Sequence, residues 1–423
     1  MIIGKYRKNK VTSKPKLFGF MGKKIIKQAK PHRILLQAVV TALSTIFIDN
    51  KYADKVIEKT LKENPKFGSR DRRFIAETTY DIVRNYRLLS YLADTKENFW
   101  NILGVYFIVR HLPMPDERDF KNLNEKAILD KYKAIKDQKI VQSYPDWLWE
   151  LCETELGKDV WEKEAKSLNE QAEVVLRVNT LKTKKAILKQ HLAEQEVEVD
   201  FLDGYNDALI LSKRQNLFSN PLFKLGLFEL QDAGSQAISE FLGVEPGMRV
   251  IDACAGGGGK TLHIAALMQN KGRIISMDIT QWKLDELKKR ARRATASNVE
   301  PRLIEGSKTI KRLENSADRV LLDVPCSGTG VIKRNPDAKW KLNVDFIERT
   351  KDIQKKILNE YSSMTKKGGQ LVYSTCSVLP SENRKQVDDF LTNNKDFELI
   401  RDKTILPSEG FDGFYMALIK RKN

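Results

Sequence analysis

With 423 residues, 41% of them apolar and 9% aromatic, the chain can bury the cores of two or three domains and does not read as disordered. Its formal charge of +18 calls for an anionic partner, because Lys and Arg displace counterions from a phosphate backbone. Four cysteines, with no Cys-x-x-Cys pair and no histidine cluster, argue against a metal site or a disulfide framework and fit a reducing cytoplasm, and no apolar run reaches the roughly 20 residues of a membrane span.

Residues 1–30 read as a basic arm. The first 33 residues carry eleven Lys/Arg and no acid, and they lack the apolar centre of a secretory signal. Residues 31–143 read as a helical domain. Within 69–93, Ile75, Ile82, Tyr86 and Leu89 recur at helical spacing, and Asp71 lies in the first turn, where the helix dipole favours an acid. Arg70, Arg72, Arg73, Arg84 and Arg87 decorate this segment, either as a solvated face or as an RNA-contacting one. Ser143-Tyr144-Pro145-Asp146 marks a boundary, with Asp146 capping the next helix and Trp147, Leu148 and Leu151 turned inward. Residues 144–230 then read as a small α+β unit, with strands at 174–180 and 207–212 and a helix at 181–195.

From residue 231 to 423 short apolar runs alternate with helical stretches. Strands are expected at 249–255, 273–278, 301–306, 319–324 and 370–375, the pattern of a doubly wound, Rossmann-like α/β sheet. Ligands of such sheets bind outside the carboxyl ends of the strands. The first strand runs into Cys254-Ala255-Gly256-Gly257-Gly258-Gly259-Lys260, where four glycines let a ligand approach the backbone at a helix N-terminus. The second ends at Asp278, an acid placed to accept hydrogen bonds from ribose hydroxyls. Gly-Gly-Lys-Thr also resembles the end of a phosphate-binding loop of an NTPase. That motif requires glycine five residues before Gly259, and Cys254 stands there. A nicotinamide enzyme is disfavoured by the glycine spacing.

The later strands deliver Asp323-Val324-Pro325-Cys326 and Thr375-Cys376-Ser377, followed by Glu382-Asn383. A lone cysteine after a strand is usually packing; two in Ser- and Gly-rich turns at one sheet edge suit chemistry. Carbon 5 of cytosine is a poor nucleophile. A thiolate that adds to carbon 6 makes it enamine-like and able to accept a methyl group from a sulfonium donor. The thiolate must then be expelled, which a second polar group beside it assists. Asp323 suits a hydrogen bond to the ring nitrogen that is protonated on attack, and the base must be unstacked to enter.

The runs DACAGGGGKT, LLDVPCSGTGVIKRNPDAKW and LVYSTCSVLPSEN resemble, in order, the motifs of the Sun/RsmB family of S-adenosylmethionine-dependent RNA (cytosine-5) methyltransferases. Arg177-Val178-Asn179-Thr180 and Phe228-Glu229-Leu230-Gln231-Asp232 resemble its preceding signatures, so the likeness spans residues 144–420. It implies Cys376 as nucleophile and Cys326 as the residue aiding product release. It also implies that Cys254, Ala255, Gly256, Gly257, Gly258, Gly259, Lys260, Asp278 and Asp323 contact S-adenosyl-L-methionine or the reacting base. DNA cytosine methyltransferases attack with the Pro-Cys thiol, which would exchange the two cysteine roles. The helical region, above all SRDRRFIAETTYDIVRNYRLL, resembles the NusB-like RNA-binding domain of the bacterial ribosomal RNA members, which implies small-subunit ribosomal RNA as substrate. Transfer RNA, or a non-catalytic role in ribosome assembly, are the alternatives. The family loop usually reads Ala-Ala-Pro-Gly-Gly-Lys, so Gly256 and Gly257 are departures that leave the loop more freedom. Ser307 stands where the family has an Asp near the adenine. In the loop after Cys326, Lys333, Arg334 and Lys339 either grip RNA phosphate, with Trp340 stacked on a base, or belong to an exposed loop with one packed Trp; that the loop leaves the active edge favours RNA contact.

Overall fold

The structure, a computed structural model, describes residues 30–423. The expected basic arm, apart from Lys30, lies outside them. The described residues form two compact units. One takes residues up to 51, 55–82 and 88–136; the other takes 52–54, 83–87 and 137–423.

The first unit is helical. In Arg33–Phe47, Leu36, Val39, Leu43 and Ile46 form one buried stripe at three- and four-residue spacing. Phe99–Val109 buries nine of its residues, so it is the central helix, and the Asn98 side chain caps its first turn at 3.1 Å. The single helix read over 69–93 is two, Ser69–Arg84 and Tyr86–Leu92. The break has a cause within the second unit: the Arg87 N–H donates to Ser143 Oγ at 2.9 Å instead of continuing the helical ladder. Asp146 is the first residue of the helix Asp146–Leu156 rather than its cap, and its carboxylate pairs with Arg87 at 2.8 Å.

The second unit holds two sheets. The smaller is antiparallel, with strands β1 (Val175–Val178), β2 (Val199–Phe201), β3 (Ala208–Leu211) and β4 (Phe228–Leu230) in the order β2-β3-β1-β4. The larger has seven strands: β5 (Arg249–Asp252), β6 (Arg273–Asp278), β7 (Val299–Leu303), β8 (Ala317–Asp323), β9 (Thr365–Thr375), β10 (Phe397–Ile405) and β11 (Phe414–Arg421). Their order is β10-β11-β9-β8-β5-β6-β7, parallel from β9 to β7, with β11 running antiparallel between β9 and β10. The interior strands are apolar on both faces because helices cover both sides; Ile251, Ile275, Val320, Leu322, Leu371 and Tyr373 belong to one core and Val250, Ile274, Leu321 and Val372 to the other. The chain direction across the sheet reverses between β5 and β8, which opens a crevice at their carboxyl ends. β7 begins two residues earlier than the run read at 301–306, and β2, β4, β10 and β11 add to the expected strands.

His263, on the helix Gly259–Leu267 that follows β5, is wholly buried with its Nε2 3.1 Å from Asp207 Oδ2. Burial pushes its pKa down from 6.5 to about 4. A lowered folded-state value means that unfolded His263 takes up a proton first as the medium acidifies. Its contribution to stability is therefore complete above 6.5 and is lost as pH falls towards 4. His263→Gln should remove that increment: urea unfolding at pH 7 and pH 4.5 should show a smaller acid-induced loss of stability in the variant than in the parent.

Candidate active site

Each candidate residue follows a strand at the crevice edge. After β5, Gly256 at φ +53° and Gly258 at φ +84° turn the chain into the helix Gly259–Leu267, conformations that glycine adopts without penalty. A side chain at Gly258 would meet Leu287 at 2.7 Å, whereas Cβ atoms at Gly256 and Gly259 would meet nothing within 4 Å. The loop thus packs tightly behind and opens in front. Asp278, at the end of β6 and nearly buried, accepts the Gly256 N–H at 3.0 Å through Oδ2 and the Thr280 N–H at 2.8 Å through Oδ1. Each oxygen keeps a lone pair for a ribose hydroxyl. An open glycine turn, a helix N-terminus and an oriented acid on the neighbouring strand fit the nucleoside of S-adenosylmethionine. Ser307, beyond β7, is exposed at the same edge.

Two of the loop residues face other duties. The Cys254 thiol is pushed well above its ordinary value by burial and then by Asp252, so it stays protonated. Asp252 itself, buried and bonded to Thr261 Oγ1 at 2.6 Å, is pushed up to about 7 by burial. The Lys260 ammonium donates to Asp323 Oδ2 at 2.6 Å. Burial works against its charge, but the Asp323 carboxylate outweighs it and raises the pKa. Asp323 Oδ1 accepts from Ser374 Oγ at 2.9 Å, and the two residues sit opposite each other in the β8–β9 register.

The cysteine turns meet directly. Cys326 lies three residues past β8 and Cys376 one past β9; their sulfurs are 3.2 Å apart, and the Cys376 N–H points at Cys326 Sγ at 3.3 Å. The Cys326 thiol is pushed well above its ordinary value, first by its hydrogen bond to Cys376 and then by burial. The turns can approach because Gly330 has no side chain: a Cβ there would lie 2.3 Å from the Gly413 carbonyl oxygen and 2.8 Å from that of Cys376. Glu382, fully buried, ties them together. It accepts the Ser327 N–H at 2.8 Å, Gln354 Nε2 at 3.0 Å and the hydroxyls of Ser327 and Ser377. The sequence reading gave Glu382 no role; the signal for it was an acid six residues after the second cysteine.

One expectation is corrected. Lys333 and Lys339 are buried, not presented to RNA. Lys333 Nζ donates to the Pro407 carbonyl at 2.7 Å, and Lys339 Nζ to the Arg84 carbonyl at 2.7 Å and Asn169 Oδ1 at 2.9 Å. Arg334 is clamped between Asp232, at 2.8 Å, and Asp412. The Trp340 indole donates to the Val83 carbonyl at 2.7 Å and takes the edge of Tyr86. Lys333, Lys339 and Trp340 satisfy backbone carbonyls and Arg334 two carboxylates, and the 331–341 loop is an internal strap around residues 83–87.

A seven-stranded sheet in this order, with a glycine turn after its first strand and an acid after its second, defines a Rossmann-like methyltransferase that uses S-adenosyl-L-methionine. The family model described as 16S rRNA methyltransferase RsmB/F matches residues 240–419, and the RsmF/B-like ferredoxin-like domain matches 144–217. A Synechocystis protein, "Probable ribosomal RNA small subunit methyltransferase B", is 31% identical over 88% of this chain and 96% of its own length. The Bacillus subtilis protein so named is 34% identical over 66% of this chain and 67% of its own. Among solved structures, PH0851 superposes with a TM-score of 0.79 at 25% identity, covering 93% of this chain and all of that one. A methyltransferase homologue from Pyrococcus horikoshii gives 0.60 at 26% identity, over 67% of this chain and 98% of its own. The chain belongs to the RsmB/F family of RNA methyltransferases.

Because Lys339 is internal, Lys339→Met should cost on the order of 1–3 kcal/mol of stability through its lost hydrogen bonds. RNA affinity and its salt dependence, read by filter binding of the folded variant, should stay within about twofold of the parent. A phosphate contact would instead show as a shallower salt slope.

Proposed function

We propose that the protein methylates carbon 5 of a cytosine in small-subunit ribosomal RNA through a covalent adduct on Cys376. The observation that carries this reading is the 3.2 Å separation of two hydrogen-bonded thiols at the edge that holds the glycine turn. A reaction needing only one sulfur has no use for the second. The names of the relatives and the charge of +18 support an RNA substrate. The helical residues 31–143 and the small α+β unit at 144–230 are the parts we assign to holding that RNA.

In this reading Cys376 adds to carbon 6 of an unstacked cytosine, and the ring's electron density moves to carbon 5. S-adenosylmethionine, when bound, supplies the methyl group as an electrophilic sulfonium. Asp323, fixed by Lys260 and Ser374, lies at the crevice to hydrogen-bond the ring nitrogen protonated on attack. When the carbon-5 proton leaves to solvent, the ring double bond re-forms, the carbon–sulfur bond breaks with its electron pair on sulfur, and the ring nitrogen gives back the proton it took up on attack. The Cys326 thiol then hydrogen-bonds the departing sulfur. The order of the motifs, with Cys376 in the Thr-Cys-Ser turn and Cys326 in the Pro-Cys turn, supports this assignment of roles through the family resemblance, and the exchanged one is the outcome the adduct experiment separates.

Cys376→Ala should lower methylation on the order of a thousandfold or more while leaving cofactor binding by calorimetry intact. Cys326→Ala should accumulate a protein–RNA adduct that survives denaturing electrophoresis. An adduct in Cys376→Ala instead would reverse the two roles, and bisulfite mapping of RNA treated with the parent enzyme locates the methylated base.

A further inference from the structure

The glycine turn is held from behind by two arginines, Arg177 on the small sheet and Arg290, which a glutamate of that sheet orients. Gly256 to Gly259 are four consecutive residues without side chains, and such a segment loses more conformational freedom on ordering than any other. A cofactor that binds it must supply that ordering unless something else already has. On the side away from the opening, Arg290, on the helix Gln281–Ala294, donates Nη1 to the Gly257 carbonyl at 2.7 Å and Nη2 to Glu229 Oε2 at 2.9 Å. Glu229 lies on β4, is buried, and also pairs with Arg293. Opposite it in the β1–β4 register stands Arg177, likewise buried, which donates to the Gly259 carbonyl and to Gln231 Oε1, the latter at 2.6 Å. The carbonyl and N–H of one peptide point in opposite directions. A Gly259 carbonyl held at the rear therefore turns the Lys260 N–H away from Arg177, to the first turn of the helix where anionic and polar ligands bind.

We propose that Arg290, oriented by Glu229, and Arg177 are positioning residues for S-adenosylmethionine: by gripping the carbonyls of Gly257 and Gly259 they pre-order a loop that its own sequence leaves loose. The inference concerns cofactor binding alone and stands whichever base is methylated. It also gives buried charges of the small sheet a second duty beyond joining that sheet to the larger one.

The test exploits a space in the loop. A Cβ at Gly257 would lie 3.3 Å from Arg290 Nη1, and Gly257 does not occupy the left-handed region, so alanine fits there once the guanidinium is gone. S-adenosyl-L-homocysteine, the same nucleoside without the methyl group, is titrated into the full chain by calorimetry. Arg290→Ala should weaken its binding about tenfold, and in steady state the loss should fall on the cofactor KM and not on the KM for RNA. Adding Gly257→Ala to Arg290→Ala should recover about twofold to fivefold, because alanine narrows the freedom of the open loop. In the parent, Gly257→Ala should recover nothing, since it crowds Arg290. If Arg290→Ala does not fold, Arg290→Lys is read in its place: it keeps the charge, loses the fork, and should weaken binding in the same direction. Binding within twofold of the parent in the folded variant, or a weakened variant that Gly257→Ala leaves unchanged, overturns the proposal. The second outcome would reduce Arg290 to a joint between the two sheets.

Discussion

A single buried carboxylate sets the spacing of the two thiols. Glu382 has no exposure, and an ion in such a place is tolerable only if every oxygen finds donors. Its donors come from the turn after β8, through the Ser327 amide and hydroxyl, from the turn after β9, through Ser377, and from Gln354 on the helix Val344–Tyr361. Satisfying the carboxylate therefore forces the two turns together. Thr329 adds to the knot by bonding Ser377 Oγ at 3.0 Å and the Val378 N–H at 3.1 Å. The sulfurs stand at the outer rim of this network, held by it without belonging to it. That arrangement keeps them partly exposed while their turns are tied down, which suits the covalent role proposed for them.

The net charge of the chain is used in two ways that composition cannot separate. Part of it faces solvent and suits a phosphate backbone. Another part is turned inward, where Lys333, Lys339, Arg84, Arg177 and Arg290 donate to backbone carbonyls. Carbonyls left over by turns inside a protein must find partners, and a long cationic side chain reaches them where no neighbouring strand can. The +18 balance therefore overstates the surface available to RNA.

This is also where the sequence was legible and where it was not. The glycine run, Asp278 and the two cysteines stand at strand ends in a doubly wound pattern, and local sequence alone assigns such positions to the crevice. β11 was readable as well, since Phe414 to Ile419 form a continuous apolar run as a strand buried on both faces should, but no motif follows it to draw attention there. β10 was not: most of its middle residues are exposed and polar, and its pairing with β11 is what makes it a strand. The 331–341 loop misled because Lys, Arg and Trp after an active-site turn look the same whether they face phosphate or carbonyl. The difference lies in Arg84, Asn169, Asp232, Pro407 and Asp412, partners far off in sequence. The break at Asn85 had the same source, a distant serine.

The central claim is that Cys376 bonds to the base while Cys326 assists its departure. RNA carrying 5-fluorocytosine tests it in the parent enzyme, because fluorine replaces the proton that must leave carbon 5, so the methylated adduct cannot be resolved. Peptide mapping by mass spectrometry of the trapped complex should find one nucleotide, carrying the transferred methyl group, on Cys376 and none on Cys326. A nucleotide on Cys326, or turnover without any trapped complex, would contradict the account.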